Sequence, residues 1–292
     1  MEVNTSKIRI LVVGANGQLG SELRVIALTQ NVLDFIFSDI DELDITQALA
    51  VNKALGLHKP HFVVNCAAYT AVDRAEEEGE LAFKLNSEAP RLLASACKQV
   101  GAKLIHVSTD YVFNGNSCEP YTEESITSPT SVYGESKLEG EKAVIASGAG
   151  MVIRTSWLYS SFGNNFVKTI ASKVSKGEIL SVVYDQVGTP TWARDLARAI
   201  VTIIGQAPEK FKAEIFNFSN EGVCSWYDVA KDISAYLNAN CQIFPILSCE
   251  YKTLATRPHY SVLSKSKIKG AFPVEVPYWR DSLYSCLKDI KG

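Results

Sequence analysis

Tyr133 and Lys137 stand four residues apart in the run Tyr133-Gly-Glu-Ser-Lys137. On a helix that spacing puts both side chains on one face. A phenol titrates near pKa ~10, so alone it exchanges protons poorly in neutral solution. An ammonium beside it favours the phenolate and lowers that value, which makes the pair a candidate proton donor. Tyr-x-x-x-Lys also arises by chance as an exposed helix pair, so the upstream run His106-Val-Ser108-Thr109-Asp110-Tyr111-Val112-Phe113 matters. It begins at the end of an expected strand, where open α/β sheets bind ligands. Thr109 there is expected to donate a hydrogen bond to a substrate carbonyl and to orient the Tyr133 hydroxyl. The plain alternative is a threonine that merely ends a strand.

A second constellation lies near the start, in Gly14-Ala-Asn-Gly17-Gln-Leu-Gly20. Gly14 allows a tight turn, Gly17 lets the backbone approach a pyrophosphate, and Gly20 permits close helix–strand packing. Amides at the start of the following helix then face phosphate, aided by the helix dipole. The spacing is G-x-x-G-x-x-G, a modest signal that gains from following the first strand directly. Asp39 falls about 20 residues further on, where an acid bonds the adenosine ribose. An acid there repels a 2′-phosphate, and no Arg or Lys occurs between 31 and 52. This favours NADH over NADPH, against the reading of Asp39 as a solvated loop acid. Trp157, at the end of another expected strand, offers a broad apolar face to a sugar ring, or else ties the second half of the chain to the core.

These residues need a frame. Short β-branched runs at Ile8–Val13, 35–38, Phe62–Asn65, 104–108 and 151–154 alternate with helical stretches near 18–28, 46–57, 81–100 and 133–147. The runs are apolar nearly throughout, as parallel strands covered on both faces are. The order predicts an α/β, Rossmann-like doubly wound parallel sheet. After residue 155 the pattern loosens into helices near 164–176, 193–204, 225–238 and 277–289 and strands near 179–183 and 215–218. We read 1–155 as the dinucleotide-binding domain. Residues 156–292 form mainly a smaller C-terminal substrate lobe, partly interleaved with the sheet.

Composition bounds the rest. With 29 basic and 32 acidic residues among 292, a basic nucleic-acid surface is excluded as the basis of function. Seven cysteines without a Cys-x-x-Cys pair, and four histidines, give no zinc spacing. They read as reduced core thiols of a cytoplasmic protein, Cys66 included. The first 17 residues hold an apolar run too short for a leader or a membrane span.

Taken in this order, the glycine turn, Thr109 and Tyr133/Lys137 resemble the extended short-chain dehydrogenase/reductase family. Within it, the chain is similar to the reductases of dTDP-linked 4-keto-6-deoxyhexoses that complete dTDP-rhamnose synthesis. The likeness runs over nearly the whole chain. It includes Asn65-Cys-Ala-Ala-Tyr-Thr-Ala-Val-Asp73, Ser131-Val-Tyr-Gly-Glu-Ser-Lys137, Arg154-Thr-Ser-Trp-Leu-Tyr159, Gly163-Asn-Asn-Phe166 and Asp185-Gln-Val-Gly-Thr-Pro190. Sugar-nucleotide dehydratases carry Thr-Asp-Glu where this chain has Thr109-Asp110-Tyr111, so the acid used to expel water is missing.

The resemblance implies reduction of a dTDP-linked 4-keto-rhamnose by NADH or NADPH, with Tyr133 as proton donor. Gly17, Gln18 and Leu19 would contact the pyrophosphate, and Asp39, Asp44 and Ile45 would lie at the adenosine end. Ala67, Ala68 and Tyr69 would line the cofactor, and Lys137 would bind its ribose. Thr109 and Asp110 would meet the sugar, Trp157 would pack on it, and Arg257 would reach the nucleotide phosphates. Some relatives dimerise through magnesium held by glutamates. Glu22 matches one such position, but Arg194 replaces the expected second glutamate, so no metal is expected and a monomer or another homodimer is. Two rivals remain. One is a non-catalytic subunit like the regulatory subunit of methionine adenosyltransferase, against which the intact Thr109/Tyr133/Lys137 set argues. The other is a reductase of a different nucleotide-linked 4-keto-sugar.

Overall fold

Strands apolar on both faces need cover on both, and the computed structural model provides it. The structure describes residues 7–206 and 208–291; the first six residues of the N-terminal reading lie outside them. Strands β1 (Ile8–Val13), β2 (Leu33–Ser38), β3 (Phe62–Asn65), β4 (Lys103–Thr109) and β5 (Gly150–Thr155) are those expected, longer by a residue or two at some ends. Helices α1 (Gln18–Ala27) and α2 (Ala48–His58) make the first crossovers. The next stretch differs from the single helix read over 81–100. It is α3 (Val72–Ala75), α4 (Gly79–Phe83), a π-helical turn at Lys84–Glu88 and α5 (Ala89–Val100). The turn has a use: it aims Asn86 at the loop after β3. The Asn86 side chain accepts from the Tyr69 amide (2.9 Å) and donates to the Tyr69 carbonyl (3.0 Å) and to Ser136 Oγ (3.0 Å). A wide turn inside a helix is where such functional offsets occur.

Helix α6 (Val132–Ser147) carries Tyr133 and Lys137, and its start is fixed by Ser131, whose hydroxyl accepts from the Gly134 amide. Beyond β5 come β6 (Leu158–Tyr159), α7 (Phe166–Ser175), β7 (Leu180–Val183), β8 (Val187–Gly188), β9 (Thr191–Trp192) and α8 (Ala193–Gln206). They are followed by β10 (Ile215–Asn217), β11 (Cys224–Ser225), α9 (Trp226–Tyr236), β12 (Ile243–Ile246), α10 (Ser266–Ala271) and α11 (Trp279–Lys291). The main sheet is parallel, in the order β10-β5-β4-β3-β1-β2. The second half therefore returns to the sheet through β10. Helix α8 also packs its Leu196, Ile200 and Ile203 with Leu19 and Leu23 of α1 on one sheet face. The other face is covered by α2, α5 and α6. A separate core under α7, α9 and α11 is built from Tyr159, Trp192, Val229, Ile233 and Leu283. The small strands pair in twos, β6 with β9, β7 with β12 and β8 with β11. Among the described residues no helix is long and apolar enough to cross a membrane.

Candidate active site

The C-terminal ends of β1, β3, β4 and β5 open into one cleft of about 790 Å³, within the range of small-molecule sites. The glycine turn forms one wall. Gly14 has φ +71°, and a Cβ there would sit 2.5 Å from the Ala67 amide nitrogen. Only glycine fits between the first and third strand ends. Gly17 caps α1 without a side chain, so the first amides of the helix remain open to an anion. Gly14, Gly17, Gln18 and Leu19 line the cleft. Gly20, the third glycine of the proposed cofactor-binding turn, does not line the cleft itself. A Cβ at Gly20 would fall 2.5 Å from Ala15 Cα, so its role is to let α1 press onto the turn.

Asp39, Asp44 and Ile45 line the far end. Asp39 is tied to the turn, accepting from the Asn16 amide (2.7 Å) with Oδ2 and from the Ile40 amide (2.9 Å) with Oδ1. Each carboxylate oxygen keeps a lone pair for a further donor. Asp44 is held below its usual range, first by the Thr46 hydroxyl and then by the Thr46 amide. Across the cleft, Asn65 shapes the loop after β3: its Oδ1 accepts from the Ala67 amide (3.1 Å), and its Nδ2 lies 3.0 Å from His106 Nδ1. Burial, with the Lys137 charge adding, holds His106 neutral. Ala67 and Ala68 line the cleft, but Tyr69 departs from expectation. Its ring packs with Ala75, Ala82 and Tyr133 behind the wall, and its hydroxyl donates to Glu78 Oε2 (2.5 Å).

Tyr133, Lys137, Thr109 and Asp110 meet at the centre. The Thr109 side chain lies beside the Tyr133 hydroxyl, and the Tyr111 ring stands edge-on to the Tyr133 ring at 5.5 Å. Burial pushes the Tyr133 phenol up; the nearby Thr109 hydroxyl opposes this, while Asp110 and Tyr111 add to it. The sequence reading had Lys137 lowering the phenol. Instead the Lys137 ammonium, 2 % exposed, donates to the Val107 carbonyl (2.6 Å). Burial pushes it down to about 8 against the pull of Glu141. Thr109 also differs. Its hydroxyl donates to Asp110 Oδ1 (3.0 Å) and accepts from the Tyr111 amide (3.2 Å), so its one proton is committed to Asp110. Cys66 lines the cleft too, but burial pushes its thiol up, so it is not poised as a nucleophile.

On the other flank Trp157 lies in the cleft with its backbone in the left-handed region, φ +49°, strained for a bulky residue. Its ring stacks on Trp226 at 3.7 Å, so one face is covered. Arg257 donates to Asp73 Oδ2 (2.6 Å) and to the Tyr111 hydroxyl (3.2 Å). The lining also contains residues that sequence reasoning gave no role, among them Thr70, Leu85, Asn165, Phe166 and Trp226. The run Gly163-Asn-Asn-Phe166 signalled two of them; for Trp226, 69 residues from its stacking partner, no local signal existed. Asn165 reaches across to Gln18 Oε1 (2.9 Å). Glu22, fully buried, accepts from Ser160 Oγ (2.6 Å) and Arg194 Nε (2.7 Å), and Arg194 continues to Asp289 (2.6 Å).

The sheet order, the glycine turn and the Tyr133/Lys137 helix define a Rossmann-like fold of the short-chain dehydrogenase/reductase type. The chain belongs to the RmlD substrate binding domain family, whose model matches residues 8–291. It is 41% identical to a probable dTDP-4,6-dihydroxy-2-methyloxan-3-one 4-ketoreductase of Streptomyces antibioticus, over 97% of this chain and 96% of that one. The crystal structure of a dTDP-4-dehydrorhamnose reductase from Clostridium acetobutylicum superposes with a TM-score of 0.92 at 40% identity, covering 97% of this chain and all (100%) of that one. A dTDP-4-dehydrorhamnose reductase from Bacillus anthracis, solved in complex with NADP, gives 0.90 at 37%, covering 97% and 99%.

Proposed function

We propose that this chain reduces the C4 keto group of dTDP-4-dehydro-β-L-rhamnose to give dTDP-β-L-rhamnose, with NADH or NADPH as reductant and Tyr133 as proton donor. The observation that carries this reading is one cleft with an amide-rich glycine turn at one end and Tyr133, Lys137 and Thr109 together at its centre. The residues fit a dinucleotide. Gly17 leaves the α1 amides free for a pyrophosphate, and two of the three Lys137 ammonium protons remain for ribose hydroxyls beyond the bond to Val107. The bound cofactor supplies a hydride to the carbonyl carbon. As the C=O π pair moves onto oxygen, Tyr133 transfers its phenolic proton there and is left as phenolate, to be reprotonated from solvent. Thr109 holds the phenol in place, and Trp157 and Arg257 flank the sugar and its phosphates. Residues 1–155 would mainly serve the dinucleotide and 156–292 the sugar nucleotide, in a cytoplasmic monomer or homodimer.

The test is oxidation of NADH and of NADPH with a panel of nucleotide-linked 4-keto-sugars. Turnover with the dTDP-linked 4-keto-6-deoxyhexose, with NADH used at least as well as NADPH, is expected. No turnover with any, alongside tight association with a partner enzyme, would overturn the reading in favour of a binding subunit. A second reading, a different dTDP-linked 4-keto-sugar, is favoured by the Streptomyces relative, which is as similar as the rhamnose-type ones; the same panel separates the two.

A further inference from the structure

A carboxamide has an oxygen that only accepts and a nitrogen that only donates, so backbone partners fix which way round it lies. Asn165 is fixed in this way. Its Oδ1 accepts from the Lys168 amide (3.1 Å) at the start of α7, and its Nδ2 donates to the Ser160 carbonyl (2.7 Å), with the Phe162 carbonyl at 3.4 Å. Neither kind of backbone group can change its role, so Nδ2 also donates to Gln18 Oε1 (2.9 Å). Both Nδ2 protons are then spent inside the protein. Gln18 is set in turn: its oxygen is taken, and among the described residues its Nε2 has no hydrogen-bond partner. Gln18 is the first residue of α1, next to Gly17, and lines the cleft. Gly163, with φ +62°, lies against its stem; a Cβ there would stand 3.3 Å from Gln18 Cγ. The loop between β6 and α7 therefore grips Gln18 at two points.

We propose that Asn165 is a positioning residue for dinucleotide binding, which turns the Gln18 Nε2 protons toward the cofactor's pyrophosphate. This deepens the reductase reading and rests on its dinucleotide site. A pyrophosphate oxygen accepts and carries negative charge. A Gln18 oxygen turned to it would repel it, whereas the Gln18 nitrogen adds a charge-assisted hydrogen bond beside the open amides of α1. From the Lys168 amide through Asn165 and Gln18 to the anion, every donor then meets an acceptor. Asn165 has no proton left for the ligand, so it acts through Gln18. A residue of the C-terminal half thereby sets the chemistry of the N-terminal glycine turn, 147 residues away along the chain.

Fluorescence titration with NADH in a double-mutant cycle tests this. Asn165→Ser keeps a helix cap but cannot reach Gln18. The loop retains its bonds from Ser160 Oγ to Glu22 (2.6 Å) and from Lys168 Nζ to the Ser161 carbonyl (3.1 Å). Asn165→Ser and Gln18→Met should each raise the NADH Kd by about tenfold. The double variant should bind no more weakly than Gln18→Met alone. An unchanged Kd in either single variant overturns the proposal. So does an Asn165→Ser penalty that persists undiminished beside Gln18→Met, because Asn165 would then serve the loop alone. The Gln18 carboxamide signals in ¹⁵N NMR, assigned by their loss in Gln18→Met, read the hydrogen bond itself. They should move downfield when NADH binds the wild type, and much less in Asn165→Ser. No movement in the wild type overturns the proposal even if Asn165→Ser fails to fold. Absence of turnover with every keto-sugar would sink the reductase reading instead, and the NADH titrations would still decide this one.

Discussion

Helix α6 buries charge at two places, and they are treated differently. Toward its C-terminal half Glu141, 1 % exposed, meets Arg154, 2 % exposed, through Nε at 3.0 and 3.1 Å and Nη2 at 2.7 Å. The guanidinium also lies over the Phe113 ring at 5.1 Å. One turn nearer the cleft Lys137 has a neutral carbonyl as its hydrogen-bond partner, and Asp110, lining the same cleft, accepts from the Thr109 hydroxyl through Oδ1 while its buried Oδ2 has no partner among the described residues. Burying an ion without its counter-ion costs several kcal/mol (~3–5 when one partner of a pair is removed). A fold that completes one pair and leaves its neighbours incomplete keeps the latter for something else, here the groups of a bound ligand.

Tyr133→Phe should lower turnover by about 10²–10⁴ with little change in melting temperature or dinucleotide affinity; near-normal steady-state turnover would remove Tyr133 from the mechanism. Arg154→Met should cost about 3–5 kcal/mol in urea unfolding, because Glu141 is left buried and charged. Adding Glu141→Gln should recover most of it. A neutral Arg154→Met would mean that the two places do not differ. Asp110→Asn sharpens the contrast through pH. The carboxyl is raised from 3.8 to about 6, so the folded state binds the proton more tightly than the unfolded chain. Stability from this group is full below pH ~4 and is lost as pH rises through about 6. The variant should match the wild type at pH ~4 and exceed it by up to about 3 kcal/mol at pH ~8. Equal stability of the two at both values would show Asp110 to be solvated.

Legibility followed the range of the interactions. The strands β1 to β5 could be read because parallel strands covered twice are apolar along their length, and α6 because Tyr133 and Lys137 share a helical face. The glycine turn was legible from spacing, including the packing role of Gly20. What escaped was set by distant partners. The π-helical turn exists to bring Asn86 to Tyr69, 17 residues away, and that contact draws the Tyr69 ring behind the cleft wall. Trp157 was legible as a cleft residue, but not its stack on Trp226. The two-residue strands β6, β8, β9 and β11 are too short to carry a period. The directions of single protons, Thr109 to Asp110 and Lys137 to Val107, depend on sub-ångström geometry that residue types do not encode.

The claim that Lys137 is left incomplete for a ligand is tested most directly by melting temperature. Wild type and Lys137→Met would be compared at pH ~7, each with and without saturating NADH. Burial holds Lys137 near 8. The folded state therefore binds its proton less tightly, and stability from this group rises with pH above about 8. At neutral pH the charged lysine is a burden, so Lys137→Met alone should melt no lower than the wild type. NADH should raise the wild-type melting temperature through mass action, and raise the variant far less. A variant that melts several degrees lower and keeps the full NADH shift would contradict the account, making Lys137 a structural residue.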